Sequence, residues 1–338
     1  MRDRADDVPL LVDHFLERYN EENGKAVDRI APEVLERLLG YHWPGNVREL
    51  ENAVERSVVL ARDREITLDV LPTDLAAAVR IAPYVHRTPV LTCESLSSEV
   101  GAELFFKCEN LQKVGAFKAR GAHNAVFGLS EELCRNGVAT HSSGNHGAAL
   151  ALAARSRGIP AHVVVPESAP AVKRAAVERY GASIIECRPT LNDRERTLAE
   201  VVDRLGATPV HPYDDAAVIA GQGTAALELI DEIPDLDMVL VPVGGGGLLS
   251  GSAIVAKGSA RSPAIVGAEP AAADDAWQGF RSGERVIVDA PVTIADGLRA
   301  SLGKLNFELI RRHVDDIVRV DEAAIAAAMR VVWERMKI

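Results

Sequence analysis

Lys118 is the residue best placed to do chemistry in this 338-residue chain: it lies in GAFKARGA (Gly115 to Ala122), between an aromatic ring and a glycine-bracketed turn. A lysine amine becomes a nucleophile when its surroundings make the neutral form accessible, and an imine to an aldehyde cofactor is the commonest use of one. Alone, the octapeptide is weak evidence, because a lysine beside a phenylalanine is usually a snorkelling surface group. Two later stretches give it meaning: SSGNHG at Ser142 to Gly147, and VPVGGGGLLSG at Val241 to Gly251. An imine-forming lysine, a polar loop opening a helix and a four-glycine loop after an apolar strand together read as a site for pyridoxal phosphate.

Each motif has a physical rationale. Exposed amides at a helix N-terminus attract a carboxylate, so Ser142, Ser143, Gly144, Asn145 and His146 are expected to hold a substrate α-carboxylate. The plain alternative is an N-capping run, which Ser and Asn also favour. Backbone without side chains approaches a phosphate closely and aims several N–H groups at it. Gly244, Gly245, Gly246, Gly247 and Leu248, where a helix begins, are therefore the expected phosphate cup. Two carboxylates and a backbone carbonyl at Glu269, Asp275 and Ala273 suit a hard ion, Mg²⁺ or else Ca²⁺ or Mn²⁺, unless the acidic loop is merely solvated. That ion would be structural or activating, away from the chemistry. Arg194 is a weaker candidate for a second substrate contact, since an arginine in so charged a helix is more often a surface ion-pair member.

The elements that must position these residues are legible. Apolar strand-like runs occur at Leu104–Cys108, Gly137–Thr140, His162–Val165, Ser183–Cys187, Met238–Val243, Ala264–Ala268 and Asp316–Val320. Between them lie helical stretches, including Asn145–Arg157, Val172–Tyr180, Asp193–Leu205, Gln222–Ile230 and Ala323–Arg335. Such alternation predicts an α/β fold of parallel sheets covered by helices, with ligands outside the C-terminal ends of the strands. Residues 1–72 differ: three amphipathic helices, Pro9–Asn23, Pro32–Tyr41 and Asn46–Arg62, form a small all-α segment.

Composition narrows the function. The net charge of −11 is shared by both parts of the chain and no basic stripe stands out, which argues against a nucleic-acid partner. Cys93, Cys108, Cys134 and Cys187 lack CxxC spacing and read as reduced thiols of a cytoplasmic protein. The acidic start MRDRADDVPL is unlike a secretory leader, and no apolar run is long enough to span a membrane.

From Thr73 onward the chain resembles the fold-type II pyridoxal phosphate enzymes, relatives of the tryptophan synthase β-chain, and specifically the serine racemase and serine/threonine dehydratase branch. The resemblance runs through HRTPVL (His86 to Leu91), ELFFKCENLQKVGAFKARGAHNAV (Glu103 to Val126), THSSGNHG, VIAGQGT (Val218 to Thr224), GAEPAAADD (Gly267 to Asp275), TIADGLRASLG (Thr293 to Gly303) and VWERMK (Val332 to Lys337). It implies two parallel-sheet lobes, the smaller at about residues 137–214 and nested in the larger, within a domain spanning 73–338. It also implies a Schiff base at Lys118, Phe117 packed beside the cofactor ring, and Asn145 at the phenolic oxygen. Ser143 would face the lysine across the cofactor plane, so that one acid/base on each face permits inversion at Cα, whereas one face alone permits only elimination. Some hydroxyaspartate dehydratases carry this serine too.

The implied activity is that of an isomerase or lyase of amino-acid metabolism, racemising serine or dehydrating serine and threonine to a 2-oxo acid and ammonia. The alternative within the class is 3-hydroxyaspartate ammonia-lyase. The substrates are small β-hydroxy amino acids, and a homodimer is the implied assembly. After the VWERMK helix the family continues with a strand whose Ser or Thr meets the pyridine nitrogen. This sequence has no counterpart, which predicts exposed apolar sheet surface and a weakened activity.

WPGNVRELEN (Trp43 to Asn52) and RADDVPLLVDHFL resemble the helical lid of bacterial enhancer-binding AAA+ activators, in which Arg48 would sense nucleotide. The chain holds no GxxxxGK[ST] loop, so Arg48 is expected to be an ordinary helix-surface arginine. Residues 1–72 are expected to be a fused fragment with no activity of its own. The rival reading from another class is a remnant of such an activator, or an inactive fusion product.

Overall fold

The computed structural model describes residues 7–40, 43, 46–61, 63–67, 73–142, 144–259, 261–288 and 291–338, without the side chains of residues 33, 37, 40, 48, 49, 56 and 60. Ser143 and the side chain of Arg48 thus lie outside the described residues. The chain opens with α1 (Val8–Asn23), α2 (Pro32–Gly40), α3 (Asn46–Leu60) and α4 (Thr73–Ile81), and β1 (Arg29–Ile30) pairs in parallel with β2 (Glu65–Ile66). Pro9 and Pro32 fall in first helical turns, where the missing N–H costs nothing.

The helical core does not stop at residue 72. Leu75, Ala76 and Val79 of α4 are buried in one cluster with Val12, Phe15, Leu50 and Val58. The same helix also packs on the later part of the chain, against the helices Lys118–Gly128 and Ala216–Glu232. Being apolar nearly all round, α4 is buried on both sides. It is an element shared by both parts.

Next come β3 (Val90–Thr92), α5 (Glu94–Val100) and β4 (Phe105–Lys107), with β3 antiparallel to β4, followed by α6 (Lys118–Gly128) and the short α7 (Glu131–Cys134). The smaller lobe holds β5 (Val138–His141), α8 (Asn145–Arg157), β6 (Ala161–Pro166), α9 (Ala171–Arg179), β7 (Ser183–Cys187), α10 (Leu191–Leu205) and β8 (Thr208–Pro209). Its strands run parallel in the order β7-β6-β5-β8. The chain then returns through α11 (Ala216–Glu232), β9 (Met238–Pro242), α12 (Gly247–Gly258), β10 (Ala264–Pro270), α13 (Asp275–Ser282), α14 (Lys304–His313), β11 (Asp316–Val320) and α15 (Glu322–Met336). Here a second parallel sheet has the order β11-β10-β9.

The seven expected strands are present with shifts of one or two residues at some ends. The two-residue strands and β3 carry too little periodicity to be read. The largest displacement is α11, which starts six residues before the expected Gln222. Asp215 caps it by accepting from the Val218 amide at 3.0 Å. Its glycines look like a loop in sequence but serve close packing: a Cβ on Gly221 would fall 2.6 Å from the Gly121 Cα of α6. One face of β9 leaves Met238 and Leu240 exposed, and α15 buries no residue, with Trp333 open to solvent.

Two residues beyond Lys118, a buried ionic knot pins α6. Arg120 is fully buried and donates to both carboxylate oxygens of Glu109 at 2.7 and 2.8 Å, and to those of Glu228 on α11 at 2.6 and 2.8 Å. Lys107 of β4 joins Glu228 at 2.6 Å, and Thr88 donates to Glu109. Burial alone would disfavour the Arg120 cation, but the two carboxylates more than reverse it and raise its pKa. The Glu228→Gln variant should therefore lose about 3–5 kcal/mol of unfolding free energy, because it leaves two buried cations short of a partner. Urea denaturation of the two proteins measures that difference.

Candidate active site

Lys118 opens α6 after a tight turn in which Val114 (φ 58°) and Gly115 (φ 70°) are left-handed. A β-branched residue is a true outlier there, so the turn stores strain just before the lysine. The amine donates to the Pro212 carbonyl at 2.7 Å and lies 5.2 Å from the Phe117 ring and 5.8 Å from the Tyr213 ring. Burial pulls its pKa down to about 8. The neutral, nucleophilic form is thus accessible near physiological pH.

Tyr213 leads from the lysine to the glycine loop. A Cβ on Gly245 would fall 2.3 Å from its ring, and one on Gly247 3.1 Å from its carbonyl oxygen. A Cβ on Gly246, at φ 92°, would strike Leu302 at 2.7 Å and Asn306 at 2.8 Å. A side chain would clash at Gly245 and Gly246, and α12 starts within the loop, so amides without helical partners cluster there. Leu248 follows, partly buried, in the first turn. A backbone cradle next to an amine of lowered pKa fits a phosphorylated aldehyde.

The third wall is the loop after β5. Gly144 precedes α8, its amide donating to the Ser142 hydroxyl at 3.4 Å, and Asn145 is exposed at the first helical position. His146 is buried with neither ring nitrogen hydrogen-bonded, and burial followed by the Lys118 charge drives its pKa well down. The Val210 backbone lies near enough to oppose that shift, though no hydrogen bond forms. The charge of Lys118 reaches His146, so the first turn of α8 lies within electrostatic range of the lysine.

Sequence reading missed HPYDD, His211 to Asp215. The Nδ1 atom of His211 accepts from the Asp214 amide at 2.8 Å and the Tyr213 amide at 3.3 Å, which places the proton of the neutral ring on Nε2. Its ring meets His141 edge-on at 5.5 Å and Tyr213 at 4.6 Å. Burial, then His211 and Arg194, lowers the pKa of His141 to about 4. These histidines keep the pocket polar yet uncharged. Two aromatic rings flanking Pro212 between apolar runs were the available signal, but only the folded chain puts them against Lys118.

Arg194 sits in the first turn of α10, and its buried Nε has no hydrogen-bond partner. Arg196, two positions further along the helix, makes the ion pair with Asp193. Glu269 and Asp275 are both buried. Glu269 accepts from the Ala276 and Trp277 amides at 3.0 and 2.8 Å, and Asp275 from the Leu302 amide at 2.8 Å. Burial raises their pKa values to about 8 and about 6. Ala273 is buried in the turn between them. Since Leu302 also packs on Gly246, the pair stands directly behind the glycine loop, nearer to it than the sequence suggested. Among the described residues no three His, Cys, Asp or Glu side chains are grouped to hold a metal.

A sequence model of pyridoxal-phosphate dependent enzymes matches residues 81–338, and one of the AAA+ ATPase lid domain matches residues 2–99. A serine racemase of Arabidopsis thaliana is 51% identical over 259 residues, covering 77% of this chain and 78% of that protein. A beta-hydroxyaspartate dehydratase of Paracoccus denitrificans is 47% identical over 264 residues, covering 78% and 84%. The solved structure of maize serine racemase superposes with a TM-score of 0.77 at 48% identity, over 79% of this chain and 81% of that one.

The lowered lysine pKa has a measurable consequence. Capture of added pyridoxal phosphate, followed by its visible absorbance, should speed up with pH about a midpoint near 8 rather than the usual 10.5 of lysine. Lys118→Ala should show no such band.

Proposed function

Because the chain belongs to the pyridoxal-phosphate dependent enzymes, we propose that it acts on small β-hydroxy amino acids, racemising serine or eliminating water from serine or threonine to give a 2-oxo acid and ammonia. The observation that carries this reading is the Lys118 amine, its pKa lowered to about 8 by burial and linked through Tyr213 to a glycine loop in which a side chain would clash at Gly245 and Gly246. Pyridoxal phosphate, when bound, supplies an electron-accepting ring that eases loss of the Cα proton. In this proposal the chain's residues do the rest. Amides of Gly244 to Leu248 hold the phosphate, Phe117 lies beside the ring and Asn145 meets its phenolic oxygen. The start of α8, from Ser142 to His146, holds the substrate carboxylate. The freed Lys118 amine removes the Cα proton from one face, and Ser143 exchanges a proton on the other.

A 3-hydroxyaspartate ammonia-lyase activity is the second reading. The Paracoccus relative supports it, as does the buried, unpartnered Nε of Arg194 beside His141, which suits a second carboxylate. The proposed setting is a cytoplasmic homodimer, in keeping with four free thiols. Among the described residues no helix is long and apolar enough to cross a membrane. Residues 1–72 are proposed to be a structural extension rather than a second enzyme, since their core closes over α4 and the sequence holds no phosphate-binding ATPase loop.

Glu269, Asp275 and the Ala273 carbonyl are proposed to bind Mg²⁺ or a similar hard cation. Two buried carboxylates of raised pKa, donating only oxygen, support that choice. Mg²⁺ should then raise the melting temperature of the parent protein, and Glu269→Gln should abolish the rise; equal shifts in both would sink the site. For the reaction itself, Ser143→Ala should keep keto-acid formation from L-serine and lose D-serine formation, read by a coupled keto-acid assay and chiral chromatography. An unchanged racemisation rate in that variant refutes the role of Ser143.

A further inference from the structure

We propose that Asn306 is a positioning residue that ties the lysine side of the site to its phosphate side; the proposal rests on the pyridoxal phosphate reading above. Asn306 lies in the first turn of α14 and is fully buried. Its Nδ2 group donates to the Tyr213 carbonyl at 2.9 Å and the Gly245 carbonyl at 3.0 Å, with an Asp214 oxygen more distant at 3.4 Å. The first carbonyl belongs to the segment whose Pro212 oxygen receives the Lys118 amine. The second belongs to the glycine cup. One side-chain amide therefore clamps both halves of the cofactor seat.

The orientation of that amide is not arbitrary. Exchanging its oxygen and nitrogen would set an acceptor against two carbonyl oxygens, so only the present arrangement is compatible with the contacts. It leaves Oδ1 buried with no hydrogen-bond partner. An unpaired buried acceptor is a cost, and a leucine, of the same branching though bulkier, would avoid it. What the asparagine provides instead is direction. Asn306 and the Gly303 amide, at 3.2 Å, both hold the Gly245 carbonyl. In a planar trans peptide the next N–H points the opposite way, so the Gly246 amide is turned away from α14. Asp214 fixes α14 in turn by accepting from the Lys304, Leu305 and Asn306 amides at 2.9, 3.0 and 3.2 Å.

The test compares two aldehydes that differ only in the phosphate. Equilibrium binding of pyridoxal phosphate and of pyridoxal is measured by visible absorbance for the parent protein, Asn306→Leu and Asn306→Asp. Loss of the clamp should weaken pyridoxal phosphate about ten- to a hundredfold, while pyridoxal changes by less than about twofold. The Asp variant, whose carboxylate opposes both carbonyls, keeps the test open if the Leu variant does not fold. An equal loss for both ligands, or no loss for either, overturns the positioning role and leaves the cofactor reading intact. Failure of the parent protein to give a visible band with pyridoxal phosphate overturns that reading itself.

Discussion

The Arg120 knot is the constraint on which the site depends. It joins the chain before the strained Val114 turn, the first turn of α6 and the last turns of α11 through one buried guanidinium and two part-buried carboxylates. Low polarity makes such a cluster strong when all its donors are matched and costly when one is missing. Lys118 lies two residues from this cluster, at the start of the same helix. The helix start that carries Lys118 cannot shift without moving Arg120, and Arg120 cannot move without breaking contacts to Glu109 and Glu228.

Close backbone contact extends that rigidity to the phosphate side. Gly121 and Gly221 bring α6 against α11, and Gly223 and Gly251 bring α11 against α12, whose N-terminus is the glycine cup. The lysine and the cup therefore sit on helices with no side chains to act as cushions between them. Around this frame the histidines His141, His146 and His211 are desolvated and held neutral near physiological pH.

Much of this was readable in one dimension. Parallel strands announce themselves as apolar runs because helices cover both faces, which is why β5, β6, β7, β9, β10 and β11 were legible to within a few residues. Lys118 and the glycine loop were legible because chemistry restricts their neighbours to small or aromatic types. Less was visible where packing decides. The glycines of α11 look like a loop until α6 lies against them, and α4 looks like an ordinary apolar helix until two cores are seen to share it.

The sequence by itself determined the fold class and the residue types that could hold an aldehyde and a phosphate, since these follow from local periodicity and local chemistry. Only the tertiary structure decided which segments converge on them. Tyr213, His211, Pro212 and Asn306 belong to stretches without a strong motif, and the acidic pair Glu269 and Asp275 was not seen to back the glycine loop. Hydrogen bonds between residues more than sixty positions apart leave no periodic trace. They exist because the folded backbone brings a carbonyl and an amide within 3 Å of each other, as at Gly245 and Asn306.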